Sequence, residues 1–214
     1  MKQGIWRIKG FIPYIAIVFL NAATDLGHKI VIQNTVFKCY EGDAQVFLTA
    51  VVNSLILLPF ILLFSPSGFL SDKYPKHRVI QLAAALSIPI AVVITICYYM
   101  GWFQLAFVMT LLLAVQSAFY SPAKYGYIKE LTGKEHIAQA NAVVQAVTIV
   151  AILAGAVAYS ILFESLLTTA TSPEQILKSI APLGFILIAG TVTGPNPVSG
   201  GGRRRRLSRS RFPQ

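Results

Sequence analysis

Residues 79–123 read VIQLAAALSIPIAVVITICYYMGWFQLAFVMTLLLAVQSAFYSPA, forty-five positions between Arg78 and Lys124 without one charged side chain. A hydrocarbon core is crossed by roughly 20 helical residues, so this run has room for two crossings and a turn. Lipid offers no partner to a backbone N–H or C=O, and a barrel would need short segments of alternating polarity, which these are not. The run therefore predicts a helical hairpin, spans 79–100 and 102–119, with Gly101 supplying the tight turn.

Outward from it lie 28 uncharged positions between Asp43 and Asp72 and 27 between His136 and Glu164. Six spans are expected, at about 11–37, 46–69, 79–100, 102–119, 138–162 and 180–192, the last short because Gly and Pro take over after Val192. The first run is long, carries polar residues and lacks a small-residue cleavage site, so it reads as a span and not as a signal peptide. Composition agrees: 55% of residues are apolar and 12% charged, where a soluble domain has about a quarter charged. A disordered chain, a disulfide-stapled secreted module and a soluble nucleic-acid binder are excluded. The expected fold class is an all-α, multi-pass membrane protein.

The chain has 18 Lys+Arg against 8 Asp+Glu. Sorted by segment, the N-terminus holds Lys2, Arg7 and Lys9, the loop after span two Lys73, Lys76 and Arg78, and the loop after span four Lys124, Lys129 and Lys134. The opposite side holds only Lys38 and Lys178. Cytoplasmic loops collect positive charge, so both termini are expected in the cytoplasm. The basic balance reads as topology and not as a nucleic-acid site. Cys39 and Cys97 fall near the outer ends of spans one and three. They could form a disulfide, though a single pair without a spacing motif favours unpaired thiols.

Charges inside a span cost a few kcal/mol each on insertion scales and mark function or pairing. Span one carries Asn21, Asp25, Lys29 and Gln33 at four-residue spacing, with His28 beside them. On a helix these form one polar stripe, and Asp25 and Lys29, one turn apart, can neutralise each other. A packing lock inside a bundle is the plain alternative to a ligand cavity. Span five repeats the theme with Asn141, Gln145 and Thr148, and span two with Thr49 and Asn53; interhelical hydrogen bonding and cavity lining both account for these. Ala151, Ala154, Gly155 and Ala158 permit close helix approach, and Pro59 and Pro89 are expected to kink their spans.

Two motifs remain. After span two comes Gly68-Phe69-Leu70-Ser71-Asp72-Lys73-Tyr74-Pro75-Lys76-His77-Arg78, which resembles the signature loop of the major facilitator superfamily, G-x-x-x-D-[R/K]-x-G-x-[R/K]-[R/K]. Pro75 replaces its second Gly and His77 one basic residue. After span four, Tyr120-Ser121-Pro122-Ala123-Lys124-Tyr125-Gly126, then Glu130-Leu131 and Ala140-Asn141-Ala142, resemble the lysophospholipid transporter family, as do Phe19-Leu20-Asn21-Ala22 and Asp25. Leu26 and Lys129 depart from that pattern.

The resemblance covers roughly 10–190. It implies the six-helix N-terminal half of a major facilitator fold, moving lysophospholipid across a bacterial inner membrane by rocking against a second six-helix half. The implied partners are the lysophospholipid, membrane lipids, and either the C-terminal half or a second copy. The candidate cavity groups for a zwitterionic headgroup are Asn21, Asp25, Lys29, Asn53, Gln116, Asn141 and Gln145. The candidate conformational latch is Gly68, Asp72, Lys73 and Arg78. The family also occurs fused to acyl-[acyl-carrier-protein]–phospholipid O-acyltransferase. A membrane domain of such a fusion without transport of its own, and an inactive truncated product, are the alternatives.

No enzyme activity, cofactor or metal is expected. There is no paired-carboxylate motif, Gly-rich phosphate loop or His/Cys cluster, and none of His28, His77 or His136 has the Asp five positions on that an acyltransferase H-x-x-x-x-D signature needs. The Gly/Pro/Arg-rich tail, 191–214, cannot build a core and is expected to be disordered. Its readings are a non-native end that truncates span six, a polybasic segment held by anionic lipid, or a nucleic-acid arm.

Overall fold

The computed structural model of the chain describes residues 4–167 and 172–193; the segment 194–214, with most of the tail, lies outside the described residues. After a 3-10 turn at Ile5–Arg7 come eight helices: α1 Phe11–Cys39, α2 Gly42–Leu62, α3 Phe64–Lys73, α4 Lys76–Met100, α5 Phe103–Thr132, α6 Ile137–Leu166, α7 Pro173–Ser179 and α8 Leu183–Thr193. Helices α1, α2, α4, α5 and α6 are each long and apolar enough to cross a membrane, and α7 with α8, bent by 62°, makes a sixth crossing if taken as one.

Proline and glycine set the interruptions. The single span expected at 46–69 is two helices joined at Leu63, where φ is −97° and ψ is 4°. Pro66 has no N–H to give the Leu62 carbonyl, and a proline is tolerated only in the first turn of the helix that follows. Pro182 stands likewise at the bend between α7 and α8, and Ser172 caps α7 by accepting from the Gln175 N–H at 3.3 Å. Gly101 turns the α4–α5 hairpin at a φ of 73°, a left-handed conformation that suits glycine.

Helix α5 runs to Thr132 with Pro122 inside it, well past the expected end at 119. Residues Ser121 to Lys124 are therefore helical and not a loop. A membrane helix tolerates such a proline because neighbouring groups and local adjustments satisfy the backbone it frees; Pro122 frees the Ala118 carbonyl, and one position earlier the Ser121 hydroxyl donates to the Ser117 carbonyl at 2.9 Å.

Helix α1 is central, packed along α6 and touching α2, α5 and α8, while α4 packs on α5 and α8. The α1–α6 crossing is close because of two glycines. A Cβ added at Gly155 would lie 2.9 Å from the Ala23 carbonyl oxygen, and the Tyr159 ring sits directly on Gly27. Only part of the small-residue stripe serves this contact: Ala151 and Gly155 are buried, whereas Ala154 and Ala158 face outward.

The apolar core is in two parts. One gathers Phe11, Tyr14, Val18, Ile128 and Val144; the other gathers Val31, Val36, Ile94, Tyr98 and Phe163. The polar residues of α1 fall between them. Large apolar side chains such as Leu82, Leu86, Leu153 and Ile161 are exposed on the outer surface, as expected where the surroundings are hydrocarbon. Cys39 and Cys97 are unpaired.

Candidate functional site

Between the two apolar clusters a cavity of ≈ 260 Å³ opens among α1, α2, α5 and α6. Three of the expected groups, Asn21, Asp25 and Lys29, face it from α1. Their spacing of four keeps them on one side of a helix that turns 100° per residue. Helix α5 supplies Ser117, Tyr120, Ser121 and Lys124 to the opposite wall, and the remaining lining is largely apolar, with Ile56, Phe60, Leu113 and Ile152.

The Ser117 hydroxyl donates to Asp25 Oδ2 at 2.9 Å. Lys124, 8% exposed, interacts electrostatically with the same carboxylate and holds Nζ 4.8 Å above the Tyr125 ring. Asp25 thus takes its partners from α5. The neutralisation expected between Asp25 and Lys29 does not occur: among the described residues Lys29 makes no ion pair or hydrogen bond, and the ion pairs are Lys38–Glu164 at 2.9 Å and Lys76–Asp72 at 3.9 Å. The reason is the length of α5, which brings Ser117 and Lys124 to Asp25 on a single helix.

His28 is fully buried and joins three helices. A carbonyl can only accept, so Nε2 carries the proton and donates to the Ala106 oxygen at 2.9 Å. Nδ1 is hydrogen-bonded to the Tyr98 hydroxyl at 2.6 Å, and the two rings stack at 5.8 Å. Two more buried polar atoms near the bundle interior, Tyr120 Oη and Thr49 Oγ1, have no hydrogen-bond partner.

The other expected cavity groups lie elsewhere. Gln116 is buried and donates from Nε2 to the Ala83 carbonyl at 3.0 Å, fastening α5 to α4, while its neighbour Ser117 faces the cavity. Asn53 donates to the Thr49 carbonyl of its own helix at 3.0 Å. Asn141 keeps Oδ1 buried and unpartnered, and Gln145 meets Tyr125; neither lines the cavity.

The loop motif lies at the end of the bundle around α3 and the start of α4. A Cβ added at Gly68 would meet nothing within 4 Å, so no neighbour among the described residues approaches it closely. The Asp72 side chain is exposed and, among the described residues, pairs with Lys76 alone. Lys73 lies over the rings of Phe69 and Tyr74 at 5.6 and 5.8 Å, and Arg78 is exposed. The residue that engages the bundle is Lys76. Its stem lies against Gly126, where an added Cβ would fall 2.7 Å from Cδ, and its ammonium donates to the Ser71 carbonyl at 3.2 Å. The loop motif and the α5 motif, separate in sequence, meet at this contact.

The sequence reading missed Ser117, Tyr120 and Lys124 as cavity groups. For Tyr120 and Lys124 the signal was the motif 120–126, but the span was expected to end at 119, which put both in a loop where side-chain facing is undefined.

Comparison with known proteins gives a family match. The family model for the Major Facilitator Superfamily covers residues 10–211. Proteins named lysophospholipid transporter LplT, from Yersinia pestis (strain Pestoides F) and Yersinia pseudotuberculosis serotype O:3 (strain YPIII), are each 34% identical to the chain over 138 residues, 64% of this chain. The alignment spans only 31% of their own length. No solved structure gives a significant match.

Proposed function

The chain belongs to the major facilitator superfamily and has the all-helical, multi-pass layout of one half of that fold; from that premise we propose that it is the substrate-holding six-helix unit of a lysophospholipid carrier of a bacterial inner membrane. The observation that carries this reading is the α1–α5 cavity itself. One part of its lining offers hydroxyls, a carboxylate and two ammonium groups, and the rest offers aliphatic and aromatic walls. That division suits a small amphiphile with a charged headgroup and one acyl chain. The resemblance to transporters of that name supports the same choice of substrate.

In this reading the unit rocks against a second six-helix unit, a C-terminal half or another copy, and exposes the cavity to the two sides in turn. Gly68, with open space above it, faces that partner. The loop of Asp72, Lys73 and Arg78 forms a latch with it, while Lys76 anchors the loop to α5. Both termini lie in the cytoplasm.

The reading is tested with the chain reconstituted into liposomes. A fluorescent lysophospholipid should cross faster than in protein-free vesicles if two copies complete the carrier, and should bind saturably if they do not. Asp25→Asn should weaken either signal by about tenfold, because Ser117 and Lys124 lose the carboxylate that positions them in the cavity wall. Saturable binding unaffected by Asp25→Asn, Lys124→Gln and Ser117→Ala together would contradict it.

A further inference from the structure

We propose that Lys29 is a specificity-determining residue of this cavity, matched to a lysolipid whose headgroup carries a net negative charge, such as phosphoglycerol, and selecting against a zwitterionic headgroup. The inference rests on the lysophospholipid reading and narrows it, since the stripe on α1 suggested a zwitterion when read from sequence.

The charges facing the cavity decide the matter. Asp25, the carboxylate of the lining, is held by Ser117 and interacts electrostatically with Lys124, whose ammonium rests on Tyr125, so one of the cavity's two ammoniums is offset. The His28 ring is committed to the bundle, with Nε2 on the Ala106 carbonyl and Nδ1 on the Tyr98 hydroxyl. Helix α2 contributes Ile56 and Phe60, and α6 contributes Thr148 and Ile152; neither brings a charge. Lys29 remains, a cation in the cavity lining, with no counter-charge and no hydrogen bond among the described residues.

An uncompensated charge at that depth costs a few kcal/mol, and the cavity's occupant is the group placed to offset it. A phosphodiester ending in an uncharged alcohol brings one negative charge and balances Lys29. A phosphoethanolamine brings its own ammonium, so the sum stays at one excess cation. Asp25, already engaged by Ser117 and Lys124, gives a second ammonium little to gain.

The test is equilibrium binding to the full 214-residue chain in nanodiscs of phosphatidylcholine, which is zwitterionic and supplies no competing lipid of net negative charge. Lysophosphatidylglycerol and lysophosphatidylethanolamine of the same acyl chain are titrated separately. The wild type should bind the phosphoglycerol form about tenfold more tightly or better, as a Coulombic contact of partly buried charges implies. Lys29→Gln should bring the ratio to about one through loss of the anionic ligand alone, and Lys29→Arg should keep the preference. A wild-type ratio near one, with both ligands bound, overturns the charge selectivity and leaves the carrier reading standing. A preference that survives in Lys29→Gln assigns the selectivity elsewhere and also overturns the proposal. Binding of neither lysolipid overturns the carrier reading and this proposal together.

Discussion

His28 stands one position from Lys29 and does a different job. Its ring bridges α1 to Tyr98 of α4 and to Ala106 of α5, so it is a structural crosspiece at the edge of the cavity. Replacing it with Ala takes this partner from the buried Tyr98 hydroxyl and opens a void. His28→Ala should therefore lose about 2–4 kcal/mol of stability, seen as a lower melting temperature in detergent. Tyr98→Phe removes only the bond to Nδ1 and should cost about 1 kcal/mol. At the α1–α6 crossing, Gly27→Leu would place a side chain where the Tyr159 ring lies. The variant should fail to elute as a monodisperse species on size exclusion, whereas Ala154→Leu, on the outward face, should elute normally. The stripe of Asn21, Asp25 and Lys29 was legible because a period of four is local. The partners of His28 lie 70 and 78 residues away, and no local period pairs them. Gln116 was misplaced for a related reason: in a helix apolar on nearly every side, nothing in the pattern says whether 116 or 117 faces the cavity.

At the scale of elements, continuous apolar runs identified the crossing helices, because length and lipid's lack of hydrogen-bond partners leave no other structure. Their interruptions were harder to read. The fourth span was expected to end at 119, yet Pro122 is carried inside α5, while Pro66 stands where α2 and α3 part. The same residue type ends a helix or is absorbed by it according to whether neighbours satisfy the freed carbonyl, which is a tertiary fact. If Pro66 causes the break, Pro66→Ala restores a donor for Leu62 and should join the two helices. Hydrogen exchange at amides 63–67 should then slow by about tenfold or more, and unchanged exchange would place the cause of the break elsewhere. The contact between Lys76 and Gly126 belongs to this scale too. Gly126→Leu should displace the Lys76 stem and raise proteolytic cleavage in the α3–α4 segment, with the cavity residues unaffected.

At the scale of the molecule, the basic residues collect at one end of the bundle. The loops at the other end, with Lys38, Glu164 and Gly101, carry little positive charge. In a background free of Cys39 and Cys97, a thiol introduced by Glu41→Cys should react with an impermeant maleimide on intact cells. One introduced by Lys134→Cys should react only after the membrane is opened; the reverse pattern would invert the topology. The six-helix layout and the family were legible because motifs and run lengths are properties of the sequence itself. Half of the cavity was not, because α5 contributes to it through facing that only packing fixes. The central claim, that a lysophospholipid occupies the space between α1 and α5, is tested most directly by photo-crosslinking. A lysophospholipid carrying a photoreactive group beside its phosphate is activated on the chain in nanodiscs, and the attachment sites are mapped by mass spectrometry. Adducts should concentrate at 21–29 of α1 and 113–124 of α5 and be competed by unlabelled lysophospholipid. Adducts confined to the outward faces of α4 and α6, and insensitive to competitor, would contradict the account.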